Sequence, residues 1–580
     1  MNSVKRVVLA LGLISLGAIS QVAKACSVAG CSTSSCNSTD CGDSCCYGGY
    51  FTNKSYFSDK INAFGSATFL RDALFRIDAA TAREDGFGGA LQVVPFGGST
   101  TDHGSKELAR WFGYNHKGVC GNPIVFGEAT STVDPLVSSL ALVDGIDLDC
   151  RHFNIRTTGD AFKSSVTFNP RQKFFGIGLN WKQVLFFNDD CTRRWWFEVS
   201  APIVHVENDM RMCESPAADS SKDAYTDVKG LDDAAYVTSV AAAFSQASWK
   251  YGKILACGTA ANSNTGSCAT NCSTACSSSC CDMKKTRIAD IELKLGYNQS
   301  LTDCASLDTY LGAVLPTGNK AKGEYVFEAI VGNGKHWGVM LGAELGFKLT
   351  HSDAGSLKWF AAADLRYLFH NEQVRSFDLV GRPWSRYQTM YASKEKMEAA
   401  LAGDAGKRDQ FATSGINLMT RCVTVHPRCQ FTADTSFMWE GKHLLAEVGY
   451  GFYARQAERI DPNWNIAPVL ASRSESALAG GVAPWRLMGD NVSDDGVTVF
   501  QDPARALLLY EKYKISVCDV DWSSAAHPAV MNNSVYASLG YKWGDVCYPT
   551  MLSLGAGWDF AFSNTAMHKW TLFGKLGVSF

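Results

Sequence analysis

This 580-residue chain lacks the features that would point to nucleic acid, to a helical membrane span or to an enzyme. Its 54 Lys and Arg residues nearly balance its 57 Asp and Glu residues, and a net charge of −3 excludes electrostatic attraction to nucleic acid. After residue 25 no apolar run reaches 18 residues, so no α-helical span is expected. GxSxG, HExxH and P-loop patterns do not occur in a supporting context, which argues against catalysis. We predict no cofactor and no catalytic metal site.

The first 25 residues have the pattern of a secretory signal peptide. Lys5 and Arg6 precede the apolar run VVLALGLISLGAIS, and residues 23–25 fit an A-x-A cleavage site. Because Cys26 directly follows the cut, a lipoprotein is the alternative. Both readings predict export into an oxidising compartment, where disulfides persist.

The end of the chain alternates between apolar residues and small or polar ones. In HKWTLFGKLGVSF, residues 568–580, one parity is apolar and the other carries residues such as Thr571, Lys575 and Ser579. A period of two over more than ten residues predicts a strand, and this length matches a tilted strand that crosses a bilayer. Similar alternation recurs in eleven further segments: 153–168, 173–187, 195–206, 287–298, 305–315, 336–349, 357–370, 429–439, 443–455, 535–543 and 551–562.

The lengths of these segments favour a membrane barrel over a soluble β-sandwich. Strands of soluble proteins usually have about 5–6 residues, whereas several of these segments have 12 to 14. Their apolar faces often begin or end in an aromatic residue, such as Trp337, Trp570 or Phe580, as expected at the two membrane interfaces. We therefore expect an all-β fold, a transmembrane antiparallel up-and-down β-barrel of about 12 strands, with 14 possible.

Connection lengths agree with this topology. If the terminal strand ends at the periplasmic side, the connection 440–442 is periplasmic and short, whereas 371–428 and 456–531 are on the outer side and long. Outer-membrane barrels have this asymmetry. Helix-like stretches at 232–252 and 393–403 predict short helices in the long outer loops.

The chain accordingly divides into four parts. Residues 1–25 are the signal peptide, and residues 26–57 are a cysteine-rich segment. Residues 58–150 are expected to form a plug or a periplasmic region, or to add one more hairpin. Residues 151–580 are expected to form the barrel, whose outer loop 253–283 is again cysteine-rich.

Twelve of the 21 cysteines lie in or beside two polar repeats that are nearly devoid of apolar residues. Such segments cannot form a core without covalent or metal staples. Export favours disulfides within the chain, and cross-links between chains or metal binding are the alternatives. The candidate disulfide residues are Cys26, Cys31, Cys36, Cys41, Cys45, Cys46, Cys257, Cys268, Cys272, Cys276, Cys280 and Cys281.

The chain resembles bacterial outer-membrane β-barrel proteins in its export signal and in its last strand, which ends in the aromatic residue Phe580. In cysteine content it is similar to chlamydial-type major outer-membrane proteins, which are disulfide-linked porins. The resemblance implies insertion into Gram-negative outer-membrane lipid, with Phe580 as the assembly signal that the barrel-insertion machinery reads. It also implies transport of small polar solutes, with self-association or a cross-linked coat as a further role.

The polar faces of the strands carry charges of both signs, which suits a wet lumen. Their near balance predicts a passive porin with weak ion selectivity, although each residue could instead form a structural salt bridge. The alternative function is a plugged barrel for specific uptake of a hydrophobic substrate. The proposed pore-lining residues are Lys182, Glu198, Glu292, Lys294, Glu344, Lys348, Lys358, Asp364, Arg366, Asp434, Glu447, Arg455, Lys542, Asp559 and Lys575.

Overall fold

A computed structural model defines the fold over somewhat more than half of the chain. The predicted signal peptide, both cysteine repeats and the helix-like stretch 393–403 lie outside the described residues. The described ranges are 88–127, 145–153, 162–188, 193–216, 239–254, 283–391, 412–461, 486–487, 519–543, 548–560 and 567–580, apart from residues 115, 247, 248, 303, 353 and 382.

Within these ranges, twelve strands form one closed antiparallel sheet, and the predicted β-barrel is confirmed. Neighbours in the chain are neighbours in the sheet, and the first strand closes the barrel by pairing with the second and the last. The strands are β1 (Gly89–Thr100), β2 (Arg171–Phe187), β3 (Arg193–Asp209), β4 (Ile291–Thr302), β5 (Ala305–Leu315), β6 (Gly338–Ser352), β7 (Gly355–Leu368), β8 (Arg428–Glu440), β9 (Leu444–Arg455), β10 (Val530–Trp543), β11 (Thr550–Phe560) and β12 (Lys569–Ser579).

The seam between β1 and β12 completes the barrel. Ala90 pairs with Ser579 at one end of the seam. Next to this pair, the backbones of Gly89 and Phe580 exchange two hydrogen bonds of 2.7 and 2.9 Å. Hydrocarbon offers no partner to a free backbone group, so the seam removes the sheet edges that a membrane would not tolerate.

One barrel strand comes from a different stretch than the alternation predicts. Among the described residues of the segment 153–168, 153 and 162–168, the strand is Lys163–Thr167, and it pairs with Ile124–Gly127 in a separate small sheet. Its alternate residues are buried there, but five residues are too few to cross a bilayer. The twelfth barrel strand is instead β1, which lies in the region 58–150 that was expected to form a plug, a periplasmic region or a hairpin.

The outside of the barrel is apolar. Leu311 and Leu554 are each 68% exposed, and most other exposed large apolar side chains also project from barrel strands. Aromatic rings pair across neighbouring strands, as Trp195 does with Tyr297 at a centroid distance of 5.2 Å. A continuous apolar exterior with aromatic borders is stable in lipid and not in water, so the barrel spans a membrane.

The two ends of the barrel differ in their connections. At one end, the short-turn end, the strands are joined by 188–192, 303–304, 353–354, 441–443 and 544–549. At the other end the connections are mostly long, as predicted, and their described parts fold together into a unit that we call the cap. The connection 316–337 contributes Val326 and Phe327 to the cap, and it also enters the barrel with Ala329 and Val331.

The cap has its own apolar core and short elements. Phe126, Phe244, Trp249 and Trp384, from three different connections, lie in one buried cluster, and the rings of Phe244 and Trp384 are 5.4 Å apart. Besides strands of two to seven residues, the cap contains the helices α1 (Asp102–Phe112), α2 (Val240–Phe244) and α3 (Gly415–Met419). Helix α2 lies inside the predicted helical stretch 232–252, but it is much shorter.

Among the described residues, no helix is long and apolar enough to cross a membrane.

The apolar exterior predicts that a charge on the lipid face is poorly tolerated. Leu554→Arg, near the middle of β11, should lower the free energy of unfolding by about 2–4 kcal/mol, because the guanidinium would enter hydrocarbon. Val380→Arg is the matched control, since Val380 is 38% exposed but lies in the cap. It should change stability by less than about 0.5 kcal/mol. Urea unfolding in lipid vesicles measures both, and equal effects would contradict a lipid-facing β11.

Candidate functional site: the barrel lumen

Strand alternation determines which side chains enter the lumen. All fifteen proposed pore-lining residues lie on barrel strands, on the parity opposite to the exposed apolar residues. The structure therefore places them on the inner face of the barrel. Most are buried there, and several are joined in ion pairs.

A row of four charges crosses the inner faces of β3, β4 and β7. Lys294 Nζ lies 2.7 Å from Glu198 Oε1 and 3.8 Å from Glu292 Oε2. Arg366 Nη2 lies 2.8 Å from the other Glu292 oxygen. No side chain of the row is more than 10% exposed. The row links three strands and neutralises its own charges.

Further pairs lie on the opposite wall. Lys575, which is fully buried, has its Nζ 3.2 Å from Glu447 Oε2. Asp559 lies 3.6 Å from Lys569 Nζ. Lys569 is absent from the proposed set, although it lies within the predicted strand 568–580 and has the same parity as Lys575.

A carboxylate near the short-turn end holds two lysines. Glu440 lies 2.5 Å from Lys358 Nζ through one oxygen and 2.9 Å from Lys542 Nζ through the other. Both lysines belong to the proposed set. Glu440 does not, since the sequence pattern assigns it to the turn 440–442, whereas it is the last residue of β8. The predicted strand ends one residue too early, so the sequence pattern misses Glu440, the carboxylate that binds both lysines.

The remaining proposed residues lie on the same inner surface. Lys182 Nζ lies 3.9 Å from the ring centroid of Trp196, a cation–π contact. The others are either buried, as Asp364, Asp434 and Arg455 are, or half-buried, as Glu344 and Lys348 are.

Apolar residues also occupy the inner face, which the alternation does not predict. We call the larger group the inner apolar cluster: Val94, Phe96, Phe174, Val204, Val206, Ala289, Ala329, Val331, Tyr536 and Phe573. A second, smaller group near the short-turn end consists of Phe360, Met438, Leu445 and Met551. The lumen is therefore partly apolar.

Two members of the inner apolar cluster, Ala329 and Val331, do not belong to the barrel wall. They lie in the connection 316–337, which we call the inserted loop, and they share this cluster with side chains of β1, β2, β3, β10 and β12. A hydrogen bond of 3.0 Å from Asn208 Nδ2 to the Glu328 carbonyl also ties the loop to the wall. The inserted loop thus lies inside the barrel at its cap end.

The inserted loop is folded around one buried carboxylate. Glu328 accepts backbone hydrogen bonds from Lys322 at 2.7 Å and from Glu324 at 2.9 Å, with longer bonds from the two other residues of 322–325. Burial raises the pKa of Glu328, and these N–H groups oppose that shift. The side chain of Asn319 adds a bond of 2.8 Å from the Val331 N–H.

A second carboxylate anchors the loop to the wall. The chain breaks strand pairing at residues 289–290, between the strand Met283–Ile288 and β4, and Asp290 is completely buried there. Its Oδ2 accepts a hydrogen bond of 2.6 Å from the backbone N–H of Asn333. The break in the strand therefore turns a carboxylate inward to hold the loop.

The described cysteines divide between the two ends of the barrel. Cys304 is an exposed thiol in the turn 303–304, at the short-turn end, and Cys422 is an exposed thiol of the cap. Cys429 lies at the start of β8. Cys213, at the cap end, is disulfide-bonded. The twelve candidate disulfide residues lie outside the described residues, so their pairing stays a prediction.

No family model matches the chain, and no curated protein matches it. Solved structures that resemble it are outer-membrane proteins. An outer membrane channel from Pseudomonas putida F1 is 10% identical and covers 85% of this chain and 96% of its own, with a TM-score of 0.34. The transport unit of the autotransporter AIDA-I from Escherichia coli is 5% identical, with 89% and 94% covered and a TM-score of 0.29.

A Pseudomonas aeruginosa FadL homologue is 10% identical, with 85% of this chain and 89% of its own covered and a TM-score of 0.26. At such identities and scores these likenesses assign neither a family nor a substrate to the chain.

Proposed function

We propose that this chain is an outer-membrane channel, closed in the conformation described, that takes up small apolar solutes. The inserted loop carries the proposal, because its Ala329 and Val331 cover part of the inner apolar cluster. Movement of the loop would expose Phe96, Phe174 and Phe573 of the barrel wall. A concave apolar surface of this kind binds apolar molecules by removing their surface from water.

The charged inner face supports a closed lumen. In the row from Glu198 to Arg366 and in the pair Lys575–Glu447, each charge is buried beside an opposite one. A twelve-stranded barrel is narrow, so paired side chains fill much of its section. Buried pairs also resist separation, because removing one partner leaves an uncompensated charge.

Passive diffusion of small polar solutes, the function that the sequence alone favours, has less support. It needs a continuous aqueous path past the inserted loop and the inner apolar cluster. The apolar exterior supports the proposed contact with outer-membrane lipid. A cross-linked coat and recognition of Phe580 by the barrel-insertion machinery stay predictions.

Asp290 provides a test of loop closure. Asp290→Ala removes the carboxylate that accepts the Asn333 N–H, a charge-assisted hydrogen bond whose loss costs about 2 kcal/mol. We expect the ratio of open to closed channels in planar bilayers to rise roughly 30-fold. Glu107→Ala, at a partly exposed position of the cap helix α1 outside the inserted loop, should leave that ratio unchanged. Identical open probabilities in wild type and Asp290→Ala would refute the loop as the closing element.

The apolar solute class can be tested on the opened channel. Naphthalene should reduce the current through Asp290→Ala channels, because it would bind the inner apolar cluster within the conducting path. Adding Phe573→Ser should weaken this block several-fold, whereas Phe573→Leu, which keeps an apolar side chain, should retain it. If the wild type instead conducts steadily and naphthalene has no effect on any variant, a passive porin is the better account.

A further inference from the structure

Five buried polar side chains connect the base of the inserted loop with the cap, and we call them the latch. Each of these side chains is less than a tenth exposed. The first and the last member of the latch are histidines, whose imidazole rings can be protonated. They come from the inserted loop, from the cap strand Asn371–Ser376 and from the cap segments that flank β9 and β10. The latch residues are, in order, His336, Gln373, Arg375, Glu458 and His527.

The orientation of the Gln373 amide is determined from two sides. Its Oε1 accepts a hydrogen bond from Arg375 Nη2 at 2.7 Å, and its Nε2 donates to the Gly334 carbonyl at 3.0 Å. The rotated amide would set its NH2 group against the guanidinium and its oxygen against a carbonyl, so it is excluded. Gln373 Nε2 therefore also donates to His336 Nε2, which is 2.8 Å away.

It follows that His336 is neutral in this arrangement. Its Nε2 accepts a hydrogen bond and carries no proton. Its Nδ1 lies 2.8 Å from the Phe369 carbonyl, to which it donates. A second proton, on Nε2, would point at the N–H of Gln373, and Arg375 prevents the amide from turning to accept it.

His527, at the other end of the latch, is neutral for the same reason. Arg375 Nη1 lies 3.3 Å from Nε2 of His527, and a guanidinium can only donate, so this ring nitrogen carries no proton either. Nδ1 of His527 lies 3.3 Å from Glu458 Oε1, and Arg375 Nη2 lies 3.2 Å from the other Glu458 oxygen. The charged groups that face the ring are Glu458, Arg375 and, at longer range, Arg455.

The latch holds a tight corner of the inserted loop, residues 332–335. The Gly334 carbonyl accepts 3.0 Å bonds from both Gln373 Nε2 and Asn371 Nδ2. Lys335 has a φ of 63°, a left-handed conformation that a residue with a Cβ adopts only when other contacts hold it. Within this corner lies Asn333, which binds Asp290.

We propose that acid releases the latch: protonation of His336 and His527 breaks the hydrogen bonds through Gln373 and Arg375. The corner 332–335 then loses these contacts, and the inserted loop can leave the lumen. This regulation rests on the proposed function, because it acts on the loop that closes the channel.

The direction of the pH effect follows from His527. Burial lowers its pKa to about 3 from an ordinary value of 6.5. A released, hydrated His527 binds a proton below pH 6.5, whereas the latched one does not until the pH approaches 3. The latch is thus fully stable above pH 6.5 and weakens as the pH falls. Between pH 7.5 and 5.5 the ratio of released to latched molecules should rise about tenfold from His527 alone.

Hydrogen–deuterium exchange of the full-length protein in lipid nanodiscs tests the latch without relying on transport. After correction for the intrinsic pH dependence of exchange, amides of the inserted loop should exchange at least tenfold faster at pH 5.5 than at pH 7.5. Amides of β7 and β8 should keep their protection. Unchanged protection of the loop at pH 5.5 would overturn the proposal, whatever the channel conducts.

Variants separate titration from mere packing. His336→Asn and His527→Asn cannot be protonated in this range, so each should reduce the acid response and the double variant should abolish it. His370→Asn, an exposed histidine outside the latch, should respond as the wild type does. A double variant that is protected at pH 7.5 and still releases its loop at pH 5.5 would refute the role of these two rings.

Channel currents in planar bilayers at pH 7.5 and pH 5.5 then test whether release of the loop opens the proposed channel. Loop release together with more frequent opening supports both proposals. Release without any change in current upholds the latch and contradicts the inserted loop as the gate of the proposed channel.

Discussion

Hydrocarbon cannot hydrogen-bond, and the rest of this structure depends on that constraint. Backbone groups in lipid are satisfied only if the sheet closes, which happens where Gly89 meets Phe580. The same constraint selects β1 over the shorter strand Lys163–Thr167 as the twelfth member, because five residues cannot cross the bilayer. Closure also fixes the two faces of every strand, so that apolar residues face lipid and polar residues are directed inward.

Directing the polar residues into a narrow barrel has its own consequence. Charged side chains that would be unstable in lipid form ion pairs in the lumen, as in the row Glu198–Lys294–Glu292–Arg366. Separating a buried pair of this kind is costly, so the pairs connect strands and do not readily open a path for solutes. The inserted loop adds apolar packing above them. Much of the described inner face is consequently paired or packed. Under the proposed function, transport requires the loop to move, and the contacts at its base are then the point of control.

The sequence predicts what depends on parity alone. Strand alternation is a local property, so the barrel, eleven of its twelve strands and the inward direction of residues such as Lys575 follow from it. It does not predict what depends on distant contacts. The inserted loop is held by Asp290 and by wall residues more than 100 positions away, such as Asn208 and Phe573, and no local pattern records those partners. Inner-face apolar residues break the alternation for the same reason.

The central claim is that a closed barrel holds the inserted loop in its lumen. A cryo-electron microscopy structure of the full-length protein in lipid nanodiscs at pH 7.5 tests it most directly. The account predicts density for residues 89–100 between β2 and β12 and for residues 329–331 against the inner wall near Phe573. A barrel closed by another strand, or one whose connection 316–337 lies outside an open lumen, would contradict it.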